Sequence, residues 1–337
     1  MTIRKWRRVW AAGGLVLAMH AASAADTGER NCPPNPVQPG AEAVQRAAAG
    51  ARDRGFLWRI ERDGRTSWLY GTIHVGRFEW LFVGPTVRSA LTGSRSIALE
   101  LDITDPTVVQ QLQQLSAGAV PLPDALRQRL AAQGERACVP LEQLAKLHPV
   151  MQGLTYTLLD ARWDELHTAW AQEVMLAGFA QRMQRPIVSL ETPKTQLDAL
   201  IPDDPAAVQR LLEQGLEQLE QGKARPMMRR LAAAWERGDL DDLAAYEQWC
   251  DCVQTDEERA LMQRVQTDRN PGMADRIAEL HRDGEVFAAV GALHMTGDHG
   301  LPALLAARGF KVERVRFDHA KTAAPQGAQR QPAAHRP

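Results

Sequence analysis

Two apolar runs near opposite ends of the chain each finish on Gly-x-x-His. The first is Trp68-Leu69-Tyr70-Gly71-Thr72-Ile73-His74 and the second is Val286-Phe287-Ala288-Ala289-Val290-Gly291-Ala292-Leu293-His294. Each reads as a β-strand whose end presents an imidazole. Imidazole changes charge near neutral pH and binds metals, so two strand-end histidines point to one site. A parallel or mixed sheet gathers the groups at its strand ends, and that is the architecture in which two such distant residues can meet.

The remaining pattern agrees with such a sheet. Phe56–Ile60, the turn Asp63-Gly64 and Thr66–His74 read as a β-hairpin ending at the first histidine. Pro85–Leu91 reads as a helix with Pro in its first turn. Arg95–Leu101 and Pro186–Leu190 read as short buried strands. From about 105 to 185 and again from 204 to 267 the pattern is helical, Asp164–Met183 most plainly. Val286–Val290 and Phe310–Phe317 are the last strands, with a helix at Leu301–Ala307 between them. The fold class is therefore α/β: a mixed sheet covered by helices, with helical insertions. No repeat of fixed period is present, which argues against a solenoid.

Residues 1–24 read as a signal peptide: Arg4, Lys5, Arg7 and Arg8, an apolar stretch, then Ala22-Ser23-Ala24 before the expected cleavage. The product is expected in the periplasm or secreted, without a stable membrane anchor. Loss of those four cations moves the formal net charge from −1 to −5. A mildly acidic chain with scattered charge lacks the concentrated basic surface that nucleic-acid binding needs. Residues 25–53 read as an irregular leader, 54–319 as one α/β domain and 320–337 as a disordered tail. Cys32, Cys138, Cys250 and Cys252 all follow the signal peptide, so two disulfides are expected. Direct pairing of Cys250 with Cys252 would close a very tight ring, so each is expected to bond to one of Cys32 and Cys138. Cys-x-Cys without a nearby His lacks the usual zinc spacing.

Two acids sit where acids are costly. Glu100 interrupts the apolar run Ile97–Leu101, and Glu191 follows the strand Pro186–Leu190. A buried carboxylate must be paired, hydrogen-bonded or metal-bound. The plainer readings are a strand-end acid paired with a structural Arg for Glu100, and a helix N-terminal acid for Glu191. Arg269-Asn270 precedes Pro271 and a helical run, where Asn270 reads first as an N-cap. His74 and His294, taken singly, read first as buried imidazoles bonded to backbone. His299 reads as a loop residue, and His148, His167, His281 and His319 carry no assigned role.

Taken together, LYGTIHVG, SIALELD, IVSLET, the TDRN segment and VGALHMTGDHGLPALLAARGFKVERV resemble the TraB/PrgY/GumN family, in particular its GumN-like bacterial members. The resemblance covers about Gly55 to Phe317. It implies kinship with Tiki proteins, proposed metal-dependent proteases, and more distantly with erythromycin-esterase-like and ChaN-like folds. It also places the two Gly-x-x-His motifs at Gly71–His74 and Gly291–His294 and the strand acid at Glu100, while Glu191 and Arg269-Asn270 match recurring positions.

The resulting expectation is a metal-dependent hydrolase of a peptide, amide or ester bond. His74, Glu100 and His294 are the expected ligands of a divalent cation, Zn²⁺, Mn²⁺ or Co²⁺, with their side-chain tips within about 8 Å. Glu191 is the expected general base, and Arg269 with Asn270 the expected oxyanion stabilisers. The substrate would be a peptide or small molecule. The competing expectation is a non-catalytic binding protein for peptide, metal or haem, or an accessory factor in surface-polymer processing.

Overall fold

The computed structural model describes residues 31–317, so the expected signal peptide and the expected tail lie outside the described residues. Six strands form one sheet: β1 (Phe56–Arg62), β2 (Arg65–Thr72), β3 (Ser96–Leu99), β4 (Ile187–Ser189), β5 (Val286–Gly291) and β6 (Lys311–Val315). Their spatial order is β4-β3-β5-β2-β1-β6. The hairpin β1–β2 is antiparallel with Phe56 opposite Gly71, and Asp63 and Gly64 both take positive φ at its turn. Such a turn matches the right-handed twist of the strands. β2 pairs parallel to β5, β5 to β3 and β3 to β4. β6 closes the far edge antiparallel to β1.

This connectivity positions the site. Because β4, β3, β5 and β2 are parallel, their C-terminal ends lie along one edge of the sheet, where α/β folds gather ligands. That edge receives Glu191, Glu100, His294 and His74. Val286–Val290, next to the middle of the sheet, are almost wholly buried. A parallel strand covered on both faces reads as a continuous apolar run for that reason.

The helices lie where the period-3.6 pattern placed them, with informative exceptions. The expected continuous helix from Asp164 to Met183 is broken: short 3₁₀ turns at Ala161–Asp164 and Thr168–Trp170 precede a true helix at Gln172–Arg182. Glu165 is left-handed (φ 59°), and His167 is instead bridged to Gly76 through reciprocal backbone hydrogen bonds of 3.0 and 2.8 Å. Tertiary pairing here overrides an apolar stripe. The leader contains a helix, Ala41–Ala49, none of whose residues is buried. Leu126, Leu130, Tyr156, Leu159, Leu212, Leu216 and Leu219 form a second core within the helical insertions.

The disulfides correct the sequence expectation. Cys32 bonds to Cys138, and Cys250 bonds directly to Cys252. Asp251, with φ 53°, turns the chain back so that the Cα atoms of Cys250 and Cys252 are 5.1 Å apart, within ordinary disulfide reach. The left-handed conformation of Asp251 lets so tight a ring close.

Candidate active site

His74 follows β2 and His294 lies on the 3₁₀ turn Ala292–Met295 after β5. The two Gly-x-x-His segments lean on each other. A Cβ on Gly71 would stand 3.3 Å from the Ala292 Cα and from the Phe56 Cβ. A Cβ on Gly291 would stand 3.3 Å from Glu100 Oε1, 3.5 Å from His294 Cδ2 and 3.9 Å from His74 Nε2. Glycine at 291 therefore keeps open the point around which both imidazoles and the carboxylate are arranged.

Glu100 sits immediately after β3. Its Oε1 accepts the Gly291 N–H at 2.8 Å, and its Oε2 accepts Arg269 Nη2–H at 2.7 Å. Burial pushes its pKa up, but Arg269 and the two imidazoles more than offset this and hold it at about 2. Glu191 follows β4 and is brought level with Glu100 by continued parallel pairing: Leu190 N–H donates to Leu99 O and Glu191 N–H to Glu100 O. Arg269 Nε donates to Glu191 Oε2 at 3.0 Å, and Arg269 Nη2 also donates to Glu191 Oε1. Burial raises the Glu191 pKa, an effect that Arg269 opposes and Glu100 reinforces. Gln196 Nε2 donates to both acids, at 3.3 Å to Glu100 and 3.2 Å to Glu191. The side chains of Arg269, Glu100 and Glu191 are only 6%, 9% and 4% exposed. Burial opposes the charge on Arg269, but the two acids more than compensate, and its pKa is raised.

His74 and His294 each have Nδ1 committed, and His294 also feels a hydrogen bond with the Gln266 backbone. Asn270 Nδ2 donates to His299 O at 2.8 Å, which turns Asn270 Oδ1 toward His294 Nδ1, 2.6 Å away. His294 thus carries its proton on Nδ1. Burial drives its pKa down to about 4 against the pull of Glu100, so the ring is neutral at pH 7. His74 Nδ1 lies 3.2 Å from Glu173 Oε1, which also accepts Thr72 Oγ1–H at 2.5 Å. The Glu173 charge raises the His74 pKa, and solvent screens that pull because the His74 side chain is 59% exposed.

The structure thus brings His74, Glu100, Glu191, Arg269, Asn270 and His294 to one place. Asn270 does not cap its helix: the helix Asn270–Asp283 starts on it, and its amide is taken by His294 and His299. Arg269 gives its N–H groups to two carboxylates and to Val265 O. Glu173, Gln196 and Thr72 belong to the same network and carried no sequence signal; Glu173 in particular looks like any helix-surface acid. His281 and His148 are structural, the first bonded to Ser67 Oγ and the second receiving the Val150 N–H.

The donor set suits a divalent cation in kind. Two imidazoles have Nδ1 tied to acceptors, the usual support of metal-binding histidines, and an ionised carboxylate lies beside them. They surround a common point without drawing together, and among the described residues no three His, Cys, Asp or Glu side chains form a metal-holding group.

Residues 56–314 match the model of the TraB/PrgY/gumN family, and the chain belongs to that family. Among curated proteins it is similar to Metalloprotease TIKI1 of Danio rerio, 24% identical over 77% of this chain and 63% of the relative. It is 24% identical to Metalloprotease TIKI2 of Danio rerio, over 77% of this chain and 61% of that protein. It is 25% identical to the Metalloprotease TIKI homolog of Nematostella vectensis, over 77% and 67%. The chain thus spans less than two thirds of the length of both zebrafish relatives. No solved structure matches. No helix among the described residues is long and apolar enough to cross a membrane.

Proposed function

We propose that this chain is a metal-dependent hydrolase of a peptide, amide or ester bond, exported to the periplasm or secreted. The carrying observation is the arrangement of His74, His294 and Glu100 about Gly291 at the C-terminal ends of the parallel strands, and the metalloprotease names of its relatives support it. His74, His294 and Glu100 would hold the cation (Zn²⁺, Mn²⁺ or Co²⁺), which when bound polarises a carbonyl and acidifies water. Glu191 would accept a proton, a role supported by the burial that raises its pKa against the pull of Arg269. Arg269 keeps Glu100 and Glu191 side by side, and Asn270 and Glu173 fix the rings of His294 and His74. In this reading Arg269 and Asn270 are positioning residues, because their donors are already engaged within the protein.

The test is elemental analysis of the purified chain beside His74→Ala and His294→Ala, with hydrolysis of a peptide library measured before and after chelation. Stoichiometric metal that both variants lose, with chelator-sensitive cleavage, is the expected result. Metal bound but no cleavage would favour a binding protein. Metal retained by both variants would remove the histidines from the site.

A further inference from the structure

The two disulfides are built for different purposes. Cys32–Cys138 closes a separation of 106 residues, whereas Cys250–Cys252 closes a separation of 2. A bridge restrains the unfolded chain more the longer the loop it closes, so the short one adds little stability of that kind. Asp251, between the two cysteines, is a non-glycine residue at φ 53°, a backbone conformation that L-residues rarely adopt.

Its surroundings suit exchange chemistry. Cys250 is buried, while Cys252 is partly open to solvent. The Cys252 N–H lies 3.1 Å from Cys250 Sγ, placed to donate to that sulfur as it takes up negative charge. The Tyr246 hydroxyl lies 3.4 Å from Cys252 Sγ. Burial raises the Tyr246 pKa to about 12, so the hydroxyl keeps its proton, which it donates to Met227 Sδ at 3.6 Å. The frame on either side does not depend on the bridge. Gln218 Nε2 donates to Asp251 O at 2.7 Å, Lys223 pairs with the Asp251 carboxylate at 2.6 Å, and Thr255 with Glu258 forms a capping box on the next helix. The cysteines therefore stay neighbours when the bond opens.

We propose that Cys250–Cys252 is a thiol–disulfide exchange site that oxidises an accessible dithiol, with Cys252 as the sulfur attacked. A thiolate of the dithiol attacks Cys252 Sγ, the Cys250–Cys252 bond breaks, and Cys250 leaves as a thiolate beside the Cys252 N–H. The second thiol of the same molecule then attacks its own sulfur in the mixed disulfide and releases Cys252. Two electrons pass to the chain, the two thiol protons end on Cys250 and Cys252, and the dithiol leaves as a disulfide. This site shares no residue with the hydrolase site.

The probe is a reduced peptide carrying two cysteines, mixed with the oxidised full chain and followed by alkylation and mass spectrometry. One peptide disulfide formed per chain, with new alkylation confined to Cys250 and Cys252, is expected, and Cys250→Ser/Cys252→Ser should abolish it. In a dithiothreitol titration of the unmodified chain, which needs no variant to fold, this bridge should open at concentrations at least about tenfold below those that open Cys32–Cys138. A peptide that stays reduced, equivalents drawn from Cys32–Cys138, or both bridges opening together would each overturn the proposal.

Discussion

Arg269 carries one positive charge between two buried carboxylates, and the cost of removing it is asymmetric. Arg269→Met would leave Glu100 and Glu191 facing each other uncompensated, and the chain should lose about 3–5 kcal/mol, read from the denaturant midpoint. Glu100→Gln should cost far less, because Arg269 keeps both its bonds to Glu191, yet metal content should fall steeply. Retained metal with a lowered midpoint would make Glu100 a structural acid. Glu173→Gln keeps an acceptor near His74 but removes its charge; metal affinity should fall about 10- to 100-fold with the fold intact. At this scale the sequence was legible where a residue contradicted its surroundings. Glu100 and Glu191 stood out as acids at the ends of apolar strands, and the histidines as repeated strand ends. Glu173 and Gln196 stood in helices that tolerate any polar residue, and only the break at Glu165–Trp170 brings Glu173 to His74.

Elements are pinned to one another by a few buried polar groups. Ser67 on β2 accepts the Val286 N–H at 3.0 Å, and its hydroxyl lies 2.8 Å from His281 Nδ1. The other nitrogen of His281 lies 3.0 Å from Arg62 O. Ser67→Ala should destabilise by about 1–3 kcal/mol through the donor and acceptor left unpaired, without changing metal content. Asp164 ties the irregular 161–170 segment to the helix Ala224–Arg237 through Arg225, whose hydrogen bond lowers the Asp164 pKa. A carboxylate with a depressed folded-state pKa stabilises above its unfolded value of 3.8 and loses that contribution as pH falls through the folded value. Asp164→Asn should therefore be less stable than the parent at pH 7, by no more than about 1 kcal/mol because solvent reaches Arg225. The gap in thermal midpoint should close in acid below that range. Strands and most helices were legible because period 2 and period 3.6 survive in the apolar residues. Their ends were not, since pairing partners decide where a strand stops, and the pairing of His167 with Gly76 is invisible to a local pattern.

For the molecule as a whole, Cys32–Cys138 links the leader to the helical insertion, whose Leu-rich core is separate from that of the sheet. Cys32→Ser/Cys138→Ser should cost up to about 5 kcal/mol on the loop-closure model, with the insertion losing hydrogen-exchange protection before the sheet does. Disulfide pairing was only half legible: the even cysteine count showed that bridges form, but the reversal at Asp251 that joins Cys250 to Cys252 is a matter of one backbone angle.

The place of β5 in the sheet bears on timing. Next to last in the chain, it lies between β3 and β2, both of which precede it by about 190 residues or more. A ribosome delivers the two walls of that slot first and must then make the entire helical middle before the strand that fills it. Until residues 286–294 emerge, Glu100 lacks the Gly291 amide and His74 has no partner histidine. An incomplete chain therefore lacks the joint arrangement of His74, Glu100 and His294, and the site exists only once β5 has taken its place between β3 and β2.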